Sequence, residues 1–109
     1  MENHAELKNF IKKYVEERLP GYLSLLNNIS LQRHGKLFLD LLLECPSKAY
    51  QILVEYHGDS SVADFALVNF FIRPLAMKLN RIGYEFELLK LVKERKDKEF
   101  FGILGIQIV

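Results

Sequence analysis

The side chains that invite a chemical reading in this sequence are few: His4, His34, His57, Cys45, and three polar residues set in an apolar stretch, Asp64, Asn69 and Arg73. The histidines lie far apart. They lack the short spacing that puts two ligands on one helical face, so no metal site is expected from them. His57-Gly58-Asp59 reads as the end of one helix and the start of the next, where polar residues belong in any case. Cys45 stands beside Pro46 at a helix start, where the helix dipole can lower a thiol pKa. A lone cysteine also packs well as a small apolar residue, and that inert role is the one expected here. No Gly-x-Gly-x-x-Gly loop, Walker loop or Gly-x-Ser-x-Gly elbow occurs. Gly102 and Gly105 are three apart, with no helix following to offer its N-terminus to a phosphate. No catalytic residue, cofactor or metal ligand is therefore assigned, and the balance leans away from an enzyme.

Asp64 and Arg73 sit in the most apolar helical stretch, where a charge must be paired or must reach the surface. Nine residues at about 100° each place them on opposite faces, so they are not expected to pair with each other. Asn69 precedes Arg73 by four residues and shares its face, which makes Asn69/Arg73 a candidate polar contact for an anion or a partner. A pocket near Pro74, for a small molecule or for chemistry, is a further alternative.

Charge is unevenly spread. Between residues 73 and 99 there are eight Lys/Arg and five acids, a local excess of three. Arg81, Arg95, Lys96 and Lys98 are the candidate nucleic-acid contacts. A basic hairpin tip after a helix resembles the wing of a winged-helix DNA binder. Against this, the preceding helix is dominated by Phe, Leu and Val, whereas a recognition helix presents polar groups to base edges. The net charge of the whole chain is only +1, so nucleic acid is a possible partner but not the favoured one.

The elements that must position these residues follow from composition and periodicity. At 109 residues, half of them hydrophobic and 27% charged, the chain has the size and make-up of one folded domain. One cysteine permits no internal disulfide, which suits a reducing, cytoplasmic setting. The charged N-terminus does not read as a signal peptide. The stretch from Val62 to Leu79 carries Asp64, Asn69, Arg73 and Pro74, so a buried helix is expected there and not a membrane span.

Three- and four-residue apolar spacing predicts helices at about 4–19, 22–33, 36–44, 47–57 and 61–80. His34-Gly35 is a plausible break, although 22–44 as one helix is an alternative. Ser61 and Asp64 stand in capping-box positions. Pro74 lacks an N–H and predicts a kink or break near Phe70. After Gly83 the pattern changes: Tyr84-Glu85-Phe86-Glu87-Leu88 alternates, and Phe100–Val109 is rich in aromatic and β-branched residues. Strands at about 84–93 and 99–109 are expected, joined through the polar run Glu94–Lys98. The fold class predicted is α+β, a bundle of four to five helices followed by a C-terminal β-hairpin. The competing reading makes 85–98 helical and the fold all-α.

The expected last strand is apolar on both faces, with Phe100, Leu104, Ile106 and Ile108 on one and Phe101, Ile103 and Val109 on the other. Such a strand needs cover on both sides. Self-association is therefore predicted, with Phe100, Phe101, Ile103, Leu104, Ile106 and Ile108 as dimer contacts and a second copy as the expected partner. The functional expectation is a non-catalytic regulatory or protein-interaction module. These residues match no family's motif closely enough to transfer a function.

Overall fold

The computed structural model describes residues 4–106. They form helices and connecting turns around one apolar core, with no strand among the described residues. Helix α1, His4–Arg18, buries Leu7, Ile11 and Val15 at four-residue intervals and leaves its lysines outside. Pro20-Gly21 ends it, with Gly21 in the left-handed region at φ 85°. Helix α2, Tyr22–His34, closes on Gly35 at φ 69°, so the stretch 22–44 is two helices. The turn after α2 is tied down by side chains: the Phe38 N–H donates to Asn27 Oδ1 at 2.8 Å, and the Ser30 hydroxyl donates to the Lys36 carbonyl at 2.7 Å. Helix α3, Phe38–Leu42, is short and buries all four of its apolar side chains. The stretch Leu37–Leu43 is apolar nearly all round; its own chain covers Phe38, Leu39, Leu41, Leu42 and Leu43, while Leu37 is 47% exposed.

Helix α4, Pro46–His57, opens on a proline, which fits a position where no intrahelical N–H bond is needed. Then comes the longest continuous helical stretch: α5, Ser60–Ala66, a π-helical segment, Leu67–Ile72, and α6, Arg73–Lys78. Asp59 caps it, accepting from the N–H groups of Ser61 at 2.6 Å and Val62 at 3.3 Å. The cap is Asp59, and the side chain of Asp64, three residues after Ser61, serves elsewhere.

The π-helical segment reconciles two features of the sequence. Pro74 removes one N–H from the helical ladder. The buried positions also slip in phase, from Ala63, Ala66 and Leu67 to Phe71, Ile72 and Leu75, one residue more than the α-helical repeat carries. A wider turn absorbs that residue, and the Arg73 N–H reaches back five residues to the Val68 carbonyl. The helix therefore widens ahead of the proline and does not break.

The predicted C-terminal hairpin is not present among the described residues. Residues 85–104 form two helices, α7, Glu85–Lys93, and α8, Asp97–Leu104. The physical reason lies in which side chains are buried. On α7 these are Leu88 and Val92, four apart; on α8 they are Phe100, Phe101 and Leu104, again on one helical stripe. The alternation that suggested a strand places Tyr84 and Phe86 at 46% and 76% exposure, so it marks no buried sheet face. Acids in the first turn of α7 and lysines in its last match the helix dipole. Tertiary burial overrides the strand preference of the aromatic and β-branched residues. Predicted strand residues 107–109 lie outside the described residues.

Three ties lock this end onto the bundle. The Asp97 carboxylate accepts from the Ser47 N–H at 3.1 Å and the Ser47 hydroxyl at 3.0 Å, so α8 caps the N-terminus of α4. Lys93 donates to Asp64 at 2.8 Å, and Tyr50 donates to the other Asp64 oxygen at 2.6 Å. Arg81 donates from Nε to the Ile103 carbonyl at 2.8 Å and from Nη1 to the carbonyls of Leu79 and Asn80 at 3.1 and 3.2 Å. No helix among the described residues is long and apolar enough to cross a membrane.

Candidate functional site

The outer face of the π-containing helix gathers the most distinctive surface of the molecule. Phe65, Asn69, Arg73 and Met77 follow one another at four-residue intervals along it. The Asn69 amide donates to the Phe65 carbonyl at 2.9 Å, and Arg73 Nη1 donates to Asn69 Oδ1 at 2.9 Å, so the first three form one bonded row. Asn69 thereby holds one edge of the Arg73 guanidinium. Arg73 is exposed, and no carboxylate among the described residues pairs with it. Phe65 is 62% exposed and Met77 47%.

Phe65 is also the outer end of a chain of aromatic rings. Its ring meets that of Phe70 edge-on at 6.3 Å, and Phe70 meets Tyr22 at 6.2 Å. Tyr22 contacts Tyr56 at 5.8 Å and stacks on Phe71 at 6.3 Å, and Phe71 packs on the core residue Phe38 at 4.9 Å. The surface aromatics thus stand on a rigid base. The Tyr22 hydroxyl and His57 Nε2 lie 2.6 Å apart in a hydrogen bond that ties α2 to the end of α4. Burial, and secondarily Tyr56, push the Tyr22 hydroxyl pKa well above the ordinary phenol value. Tyr22 is neutral at physiological pH and acts as a hydrogen-bonding and packing group.

The other candidates from the sequence are dispersed. Arg81 is committed to the three carbonyls described above. Arg95 sits in the α7–α8 turn at φ 61°, Lys96 faces Glu94 at 3.4 Å, and Lys98 is exposed on α8. Phe100, Phe101 and Leu104 are core residues, Ile103 and Ile106 are half-buried against that core, and Ile108 lies outside the described residues. Among the described residues the two-sided apolar strand that called for a second copy is absent, and the chain itself buries Phe100, Phe101 and Leu104.

Pro74 is buried. A cleft of about 330 Å³ lies instead between α1, α2 and α3, lined among others by Lys8, Lys12, Ser24, Asn27 and Asp40. Within it Lys8 and Asp40 neutralise each other at 2.7 Å. No cluster of three or more His, Cys, Asp or Glu side chains able to hold a metal occurs among the described residues. Cys45 is half-buried at the start of α4.

The four-residue spacing of Asn69 and Arg73 marks them in the sequence, whereas nothing in the local pattern singles out Phe65. The missing signal is the phase slip at Leu67–Ile72. No protein-family model, no curated protein and no solved structure matches the chain.

Proposed function

We propose that this protein is a non-catalytic protein-interaction module that receives a partner on the Phe65–Arg73 face. One observation carries the reading: an exposed phenylalanine, braced ring to ring down to the core, shares a helix face with an arginine that has no acidic partner among the described residues. Aromatic, Met and Arg side chains are enriched at interface centres, and rigid anchors give up little conformational freedom on binding. A regulatory role fits the same face, since occupation of a small module by a partner is a simple way to transmit a signal. The nucleic-acid reading has less support, because Arg81 is occupied by backbone carbonyls and Lys96 faces an acid.

Site-specific photocrosslinking in the cells that express the protein tests this. A photoreactive phenylalanine at position 65 is compared with one at Leu31, another exposed apolar residue, on α2. The reading predicts a discrete adduct from position 65, none from position 31, and loss of the adduct on adding Arg73→Glu. Equal adducts at both positions, or none at either, contradict it.

A further inference from the structure

The same face carries information about its occupant. From Phe65 to Met77 the row spans roughly 16–18 Å at helical rise. It has an aromatic ring at one end, a thioether at the other and a single cation between them. Among the described residues only Asn69 occupies the Arg73 guanidinium, through one of its N–H donors. A guanidinium presents five donors in a planar fork suited to a carboxylate. Covering this row with apolar atoms alone would bury the cation unpaired, at a considerable penalty.

A second copy of the chain is a poor match. Laid antiparallel, it sets Met77 against Phe65 and Asn69 opposite Arg73. The row it brings supplies no carboxylate, so both guanidinium groups stay unneutralised, about 10 Å apart and just beyond the screening length of about 8 Å at physiological salt. An extended peptide adding to a sheet has no edge to pair with among the described residues. A helix laid along the row satisfies both demands, since side chains three and four apart on one face can place apolar, acidic and apolar groups in sequence.

Resting on the interaction reading above, we infer that the occupant is an amphipathic helix of another protein whose apolar stripe carries one carboxylate, seated on Arg73 between anchors that meet Phe65/Phe70 and Met77.

The test is a selection on the immobilised full-length chain from a displayed library of about 18-residue helical peptides, long enough to cover the row. The inference expects enriched peptides with Asp or Glu flanked by Leu, Met or aromatic residues at three- or four-residue spacing. It expects their affinity to fall about tenfold or more with Arg73→Ala and with Phe65→Ala, and less with Arg73→Lys, as loss of a bidentate ion pair and of an aromatic anchor implies. Enriched peptides that lose affinity with Phe65→Ala, but carry no acid and ignore Arg73→Ala, overturn the inference and leave the interaction reading standing. A library in which nothing depends on Phe65 or Arg73 overturns both. Sedimentation showing a dimer that Phe65→Ala dissociates assigns the face to a second copy and also overturns the inference.

Discussion

Replacing Arg81 by alanine tests whether the C-terminal helices are locked onto the bundle in the way described. Arg81 joins the end of α6 to the end of α8 by donating to Ile103 across 22 residues of sequence, and to Leu79 and Asn80 nearby. A hydrogen bond from a charged donor is worth about 1.5–3 kcal/mol where water cannot replace it, and less where it can. The Ile103 contact is partly buried and takes the larger share. The Asn80 contact is exposed, and water recovers most of it. The expected loss for Arg81→Ala is about 2–3 kcal/mol, or about 8–15 °C in Tm for a domain of this length. Arg81→Lys keeps the charge but reaches fewer of the carbonyls, so it restores about half. Gly105→Ala perturbs the same tie, because its Cβ would stand 3.3 Å from Arg81 Nη2 at a residue with φ 74°. The backbone conformation alone makes that change unfavourable by about 1 kcal/mol. Urea unfolding followed by far-UV circular dichroism reads all three variants. The expected pattern is a lower midpoint with an unchanged slope, and a double variant, Arg81→Ala with Gly105→Ala, that loses less than the sum. An Arg81→Ala protein within about 0.5 kcal/mol of the parent would refute the reasoning and return Arg81 to the pool of free surface cations.

Phe101→Ala should destabilise the protein by about 3–5 kcal/mol, since its side chain is 1% exposed in the core; an unchanged unfolding midpoint would place it on a surface instead. Tyr22 and Tyr50 have raised hydroxyl pKa values, Tyr22 from burial and then Tyr56, Tyr50 from burial and then Asp64. The unfolded chain then releases these protons first, so stability is full below the ordinary phenol pKa near 10 and declines as pH rises above it. Tyr50→Phe should flatten that alkaline decline in a pH series of unfolding midpoints, while lowering stability at neutral pH by about 1 kcal/mol through loss of the Asp64 bond. Asp97→Ala removes the cap on α4 and should lower stability by about 1 kcal/mol in the same urea assay, with Asp97→Asn retaining part of it. Phe65→Ala and Arg73→Ala lie on the surface and should stay within about 0.5 kcal/mol of the parent, which keeps their binding defects separable from unfolding.

The N-terminal two-thirds of the fold was legible because its signals are local. Leu7, Ile11 and Val15 mark a helical stripe, Pro20-Gly21 and Gly35 mark ends, and Pro46 marks a beginning. The C-terminal third was misread because five alternating residues from Tyr84 to Leu88 fit a strand and a helix equally well. Which of them is buried depends on what α4 and the π-helical segment present to them, and no local pattern holds that information. Phe100 and Phe101 looked like two faces of a strand, whereas adjacent positions on a helix can both reach a core that surrounds them. Of the candidate site, Asn69 and Arg73 were legible because four-residue spacing implies contact on any helix. Phe65 was not, because its exposure follows from the extra residue absorbed at Leu67–Ile72. Its ring contacts through Phe70 to Tyr22 depend on α2 lying alongside.

A partner seated on the Phe65–Arg73 face must shield its side chains from solvent. Hydroxyl-radical footprinting of the full chain, alone and with the tightest helical peptide from the selection, tests it most directly. Oxidation at Phe65, Phe70 and Met77 is predicted to fall in the complex, while Leu31 and Leu37, exposed on α2 and the turn after it, stay as reactive as before. Unchanged reactivity at Phe65 and Phe70, with protection appearing elsewhere on the molecule, would contradict it.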